Sequence, residues 1–193
     1  MFNRMMGRNR FVVSRIILHL SGSDVAPILG IINRSAREVI DAEGDIELLG
    51  EELVTICETL LQYDEYWMSA ANEGDVFWNE GEAGDYVQEL FTDSAQRYLS
   101  ESPEYYSNSD ESFTVPVTRN IVVMITVAYV GEIPQLEDDL SNIAALQEGF
   151  KALIDLHYKK KLRAVQVHFS PAQLGDELTN DQLIQHYSEL IPL

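Results

Sequence analysis

Cysteine occurs once in the 193 residues, at position 57, so the chain cannot form a disulfide within itself. Its neighbours, LVTI before and ETLL after, make it a small buried hydrophobe on a helix. A reducing compartment is compatible with this usage, and a cytoplasmic location is the expectation. Long apolar runs are missing too, and nothing approaches the roughly 18–20 residues that a membrane-spanning helix needs. Basic residues are scarce: 13 Lys and Arg stand against 32 Asp and Glu, for a net charge of −19. They are also unevenly placed. Residues 1–37 carry six Arg against Asp24, residues 38–118 carry 21 acids against Arg97 alone, and residues 119–193 carry six basic and ten acidic side chains. Phosphate recognition rests on clustered Lys and Arg, so nucleic acid is not an expected partner. A solvated face is the plain account of the acidic middle, and attraction to a basic partner protein is the functional one.

Catalytic and ligand signatures are equally sparse. His19, His157, His168 and His186 show no H-x₃-H or H-E-x-x-H spacing and have no Cys partner. His168 and His186 could meet near the C-terminal turn, although structural histidines are the commoner outcome. There is no G-x-S-x-G, no G-x-G-x-x-G and no phosphate-binding glycine loop ending in Lys-Ser/Thr. The triplet Glu137-Asp138-Asp139 precedes a helix, where dipole complementation explains it more simply than a divalent cation does. No catalytic, cofactor-binding or metal-binding residues are therefore assigned. Lys159-Lys160-Lys161 with Arg163 is the one basic cluster beyond the N-terminus. It suits a helix C-terminus, with weak contact to an anionic membrane surface as the functional alternative. The opening MFNRMMGRNRFVVSRIILHL imitates a signal peptide, but Arg15 interrupts its apolar run and no A-x-A-like site follows. Its lack of acids before Asp24 leaves an import signal open; we read it as part of the fold.

What the chain does have is hydrophobic pattern. Ile121–Val130 is apolar at nearly every position and rich in Cβ-branched residues, which predicts a strand buried on both faces rather than a helix. Phe11–Leu20 is a second strand, with Val12, Ile16, Leu18 and Leu20 on one face. Tyr66–Ala71 reads as a short third strand, ended by the turn-forming Asn72-Glu73-Gly74-Asp75. Leu162–Phe169 alternates as a half-buried fourth, with Val165, Val167 and Phe169 opposite Gln166 and His168. Three- and four-residue apolar steps predict helices from about Val25 to Ile40, Ile46 to Leu61 and Glu82 to Ser100, and another carrying Leu140, Ile143, Leu146, Phe150, Leu153 and Ile154. Thr179-Asn180-Asp181-Gln182 caps a short last helix through Leu183 and Tyr187. Residues 101–114, ESPEYYSNSDESFT, are polar and read as a mobile loop within a single domain spanning 1–193. The aromatics Tyr63, Tyr66, Trp67, Phe77 and Trp78 are either core or a recognition surface, with core favoured.

Three stretches near the C-terminus carry a family likeness: Phe169-Ser170-Pro171-Ala172, Gly175-Asp176-Glu177-Leu178-Thr179 and Tyr187-Ser188-Glu189-Leu190. They resemble the W-T-P-Q, G-D-x-L-T and Y-P-E-L motifs that close members of domain-of-unknown-function family 1517. The strand Ile121–Gly131 and the segment LLGEELVTICETLLQYDEYWMSA, with Tyr66-Trp67 in place, resemble further stretches of that family. Its members occur mainly in cyanobacteria and plastids. Many carry an upstream membrane segment and a Gly-rich tract, neither of which is read in these 193 residues. The resemblance implies no catalytic residues, and plant relatives imply a link to photosynthetic membranes.

The expected architecture is α+β: a mostly antiparallel sheet of about four strands covered by amphipathic helices. The expected role is that of an acidic, non-enzymatic protein that binds a partner protein, a basic one being the functional reading of its charge. The alternative is a small-molecule binder or an enzyme with a pocket near Tyr66, Trp67 and Trp78.

Overall fold

The computed structural model describes residues 9–41, 44–100, 119–171, 176 and 178–193; the expected loop at 101–114 lies outside them. In chain order the elements are β1 (Phe11–Ser21), α1 (Ala26–Asp41), α2 (Ile46–Gln62), a 3₁₀ turn (Asp64–Tyr66), β2 (Trp67–Phe77) and α3 (Glu80–Ser100). There follow β3 (Asn120–Val130), α4 (Pro134–Glu137), α5 (Ile143–Tyr158), β4 (Leu162–Ser170), α6 (Asn180–His186) and β5 (Ile191–Pro192). The sheet has the order β4-β3-β1-β2-β5, and every neighbouring pair is antiparallel. The α+β class and antiparallel sheet match expectation. The sheet has five strands rather than four, because the two-residue β5 adds to the edge of β2.

The valine-rich β3 lies in the interior of this sheet, buried on both faces from Ile121 to Tyr129. Full burial of each Val or Ile contributes about 1.5–3 kcal/mol relative to an exposed side chain, so this strand draws a covering layer onto each face. On the first face Val12, Ile16, Leu18 and Leu20 of β1 join Ile121, Val123, Ile125 and Val127 of β3 beneath α1, α2, α4 and α5. Cys57 is part of that core, and its burial pushes the thiol pKa well up. The opposite face has two separate covers. α3 lays Ala83, Val87 and Leu90 over Phe11, Val13 and Ala128. The C-terminal segment lays Leu178, Leu183 and Tyr187 over Ile17, Val122 and Met124.

Helix starts follow local chemistry. Asp45 accepts from the Glu47 N–H, Asn142 accepts from the Ala145 N–H, and Thr179 with Gln182 forms the expected capping box. Three expectations are corrected. β2 does not stop at Ala71 but runs through Asn72-Glu73-Gly74-Asp75 to Phe77, held by ten residue pairings with β1. α3 begins at Glu80, where the Asn79 side chain accepts the Gly81 N–H at 2.8 Å. The acid triplet does not lead into α5. Glu137 closes the separate short helix α4, and Asp139 accepts the Ser141 N–H in the connection, while Ile143 at the start of α5 is exposed.

Candidate functional site

Between the two covers of the second face, one row of the sheet is polar across four strands. Gln166 of β4 lies opposite Thr126 of β3, Thr126 opposite Arg15 of β1, and Arg15 opposite Glu73 of β2. Arg15, which seemed from sequence to interrupt an apolar run, is 2% exposed. An unpaired buried charge costs several kcal/mol, so the guanidinium must be matched on the spot. It is matched by acids from two other elements. Nε and Nη2 donate to Glu73 Oε1, while Nη1 donates to Asp93 Oδ2 at 2.7 Å, Ser94 Oγ at 3.0 Å and the Leu90 carbonyl at 3.3 Å.

From Asp93 the network continues to the C-terminal segment. Arg97 Nε donates to Asp93 Oδ2 at 3.0 Å, and its Nη1 donates to the His186 carbonyl at 2.9 Å and to Glu189. The Arg97 guanidinium also lies over the Tyr187 ring, 5.6 Å from its centroid. Burial alone would raise the Asp93 pKa, but the hydrogen bonds and charges of Arg15 and Arg97 together hold it below the usual carboxylate range. Both carboxylates around Arg15 are committed to guanidinium groups, an arrangement that ties α3 and the C-terminal segment to the sheet.

The histidines occupy four different settings. His19 Nε2 meets Asn120 Oδ1 at 3.1 Å and Nδ1 meets Ser69 Oγ at 3.2 Å. Asn120 donates its own amide to the Leu178 carbonyl, so Oδ1 faces His19 and accepts a hydrogen bond from Nε2–H; Nδ1 then accepts from Ser69. Burial lowers the His19 pKa, and the bond to Asn120 opposes this in part. His168 packs its ring edge against Phe91, with centroids 5.1 Å apart, and burial followed by the charge of Arg15 lowers its pKa. Two buried atoms on this side of β4, Gln166 Oε1 and His168 Nδ1, have no hydrogen-bond partner among the described residues. His157 is buried against Gly50 of α2, and the His186 carbonyl takes Arg97. Among the described residues no three His, Cys, Asp or Glu side chains converge closely enough to hold a metal ion.

A family model described as "Protein of unknown function (DUF1517)" matches residues 10–193, nearly the whole chain. The chain belongs to that family. No curated protein and no solved structure matches it. In this DUF1517 chain the C-terminal motif positions serve packing: Leu178 and Tyr187 are buried on the second face, Leu190 packs beside them, and Glu189 pairs with Arg97.

The aromatic segment of the DUF1517 chain divides between core and surface. Trp67 is buried, stacks at a tilt on Phe150 and donates Nε1–H to the Leu60 carbonyl, while Trp78 is exposed. A cleft of about 180 Å³ opens between β1, β2 and α4 instead, lined by Ser14, Asn72, Gly74, Asp75, Leu136 and Glu137 among others. Tyr66, Trp67 and Trp78 do not line it. Glu137 in its wall is held by Arg10, which donates through both Nη atoms, and by the Ile133 N–H at 2.8 Å. Burial raises the Glu137 pKa, but Arg10 and that N–H outweigh it and the group titrates below the ordinary range. Asp75, Glu80, Glu82, Asp85 and Glu89 are exposed at the end of β2 and along α3, an acidic ridge in which Glu82, Asp85 and Glu89 share the outer side of the helix. In the basic cluster Lys159 pairs with Asp155 at 2.6 Å and Lys160 approaches Glu47 at 3.6 Å. Among the described residues no helix is long and apolar enough to cross a membrane.

Proposed function

We propose that this protein is a non-catalytic accessory factor that binds a basic segment of a partner protein along the ridge of β2 and α3. The observation that carries the reading is a stretch from Glu38 to Gln96 without a single Lys or Arg, whose acids from Asp75 to Glu89 are exposed. Glu82, Asp85 and Glu89 recur at helical spacing on the side of α3 away from Ala83, Val87 and Leu90, so their charges act together on one approaching surface. Family membership makes a photosynthetic-membrane protein the first class of partner to test.

The test compares the native chain with a Glu80→Gln/Glu82→Gln/Asp85→Gln/Glu89→Gln variant as bait in native extracts. A partner retained at low salt, released at high salt and lost with the variant is the expected result. Retention that ignores both salt and the four substitutions overturns the proposal. A metabolite that raises the melting temperature of both forms equally would favour a small-molecule role instead.

A further inference from the structure

The chain has two tryptophans, and they sit in opposite settings. Trp67 is 5% exposed, packs on Phe150 and donates its indole N–H to Leu60. Trp78 is 41% exposed. Among the described residues its ring meets no aromatic or cationic side chain, and its N–H meets no acceptor. The local sequence explains why. Asn79 accepts the Gly81 N–H at the start of α3, which makes Trp78 the residue before the helix cap. An apolar side chain at that position ordinarily packs on the fourth residue of the helix. Here the fourth residue is Ala83, which is turned onto Phe11, Val13 and Ala128 and is too small to cover an indole. Phe77, one residue earlier, packs on Tyr86 instead.

The charged residues nearest this bare indole in the sequence are all acids. Asp75 precedes it, and Glu80 and Glu82 follow in the first turn of α3, all three exposed. An electron-rich ring face bordered by carboxylates suits a planar cation. Arginine suits it best, because a guanidinium can stack on the indole while its N–H groups reach a carboxylate; the ammonium of lysine is a point charge that the acids alone can hold. The chain builds this arrangement once for itself, where Arg97 lies over the Tyr187 ring while donating to Asp93 and Glu189. Tryptophan and arginine are also the residue types that most often dominate the energy of a protein interface. We infer that Trp78 is the anchor of the acidic ridge and takes an arginine of the partner's basic segment, flanked by Glu80 and Glu82. This inference rests on the acidic-ridge reading and narrows it from any basic segment to one carrying arginine.

The probes are a capped peptide of alternating Arg and Gly and its Lys-for-Arg counterpart of equal length and charge, each titrated into the full chain at low salt. Because Trp67 is buried, quenching of the tryptophan fluorescence by acrylamide reports on Trp78. The Arg peptide should shield Trp78 from acrylamide and bind more tightly than the Lys peptide. Trp78→Leu keeps every acid and alters an exposed side chain. It should weaken the Arg peptide about two- to fivefold, the factor that a cation–π contact supplies at an exposed site, and remove the preference for Arg over Lys. Salt should weaken both peptides on both forms, since the acids act in each case. Equal, salt-sensitive binding of the two peptides to the native chain overturns the anchor and leaves the ridge reading standing. An Arg preference that survives Trp78→Leu does the same. Binding of neither peptide, or binding untouched by the Glu80→Gln/Glu82→Gln/Asp85→Gln/Glu89→Gln variant, overturns the ridge reading and the anchor with it.

Discussion

Arg15 and its acids allow a test in which the two sides of one interaction give unequal results. The guanidinium side chain is 3% exposed, whereas Glu73 and Asp93 are 44% and 41% exposed. Neutralising both acids in a Glu73→Gln/Asp93→Asn variant keeps the shapes and leaves neutral acceptors, the two amide oxygens, Ser94 and the Leu90 carbonyl, but strands a buried cation without a counter-charge. Breaking a buried pair in this way costs about 3–5 kcal/mol. For a chain of this length that corresponds to a fall in Tm of about 6–20 °C. Arg15→Met removes the buried charge instead and leaves two carboxylates that water already reaches. It should cost about 1 kcal/mol, since replacing a buried ion by an apolar side chain of similar volume is close to neutral. Urea unfolding followed by circular dichroism measures both variants against the native chain. The reasoning is refuted if Arg15→Met proves as damaging as the double neutralisation, because the cost would then lie in lost packing and not in an uncompensated charge.

Two further predictions follow from the same coordinates. A Cβ built on Gly74 would stand 2.4 Å from the Val13 carbonyl oxygen, a main-chain atom of the neighbouring strand, so Gly74→Ala should destabilise the fold by about 1–3 kcal/mol, read as a lower urea midpoint. Folding lowers the pKa of both His19 and His168 from 6.5, so the unfolded chain binds more protons just below that pH. Their contribution is whole above 6.5 and is lost as pH falls toward the depressed folded values. That of Asp93 and Glu137, also depressed, is present above their ordinary 3.8 and 4.5 and lost at still lower pH. The difference in unfolding free energy between the native chain and a His19→Gln/His168→Gln variant should shrink as pH drops from 7 to 5; a difference that is flat with pH contradicts it.

Much of the architecture was legible because it rests on local pattern. The apolar run of β3, the alternation of β4, the helix periods and the Thr179–Gln182 box each state their structure within a dozen residues. The extension of β2 was not legible, because Asn72-Glu73-Gly74-Asp75 has turn chemistry and is held extended by distant partners. The Asn72 amide takes the Asp138 carbonyl and the Leu140 N–H, Glu73 meets Arg15, and Gly74 admits the β1 backbone. The two-residue β5 carries too little pattern to signal itself. The polar row was hidden for the same reason as β2. Its members at 15, 73, 126 and 166 look unrelated until strand register sets them side by side. Trp67 read correctly as core; Trp78 did not.

The pairing of β1 with β3 joins Phe11 to Val130, so two adjacent interior strands of the sheet come from opposite ends of a span of well over a hundred residues. Closing so long a loop is opposed by chain entropy until the strands meet, which places the search for this contact at the slow step of acquiring the native state. Until then one long edge of β1 has no partner, and its main-chain groups stay available to any other strand that reaches them first.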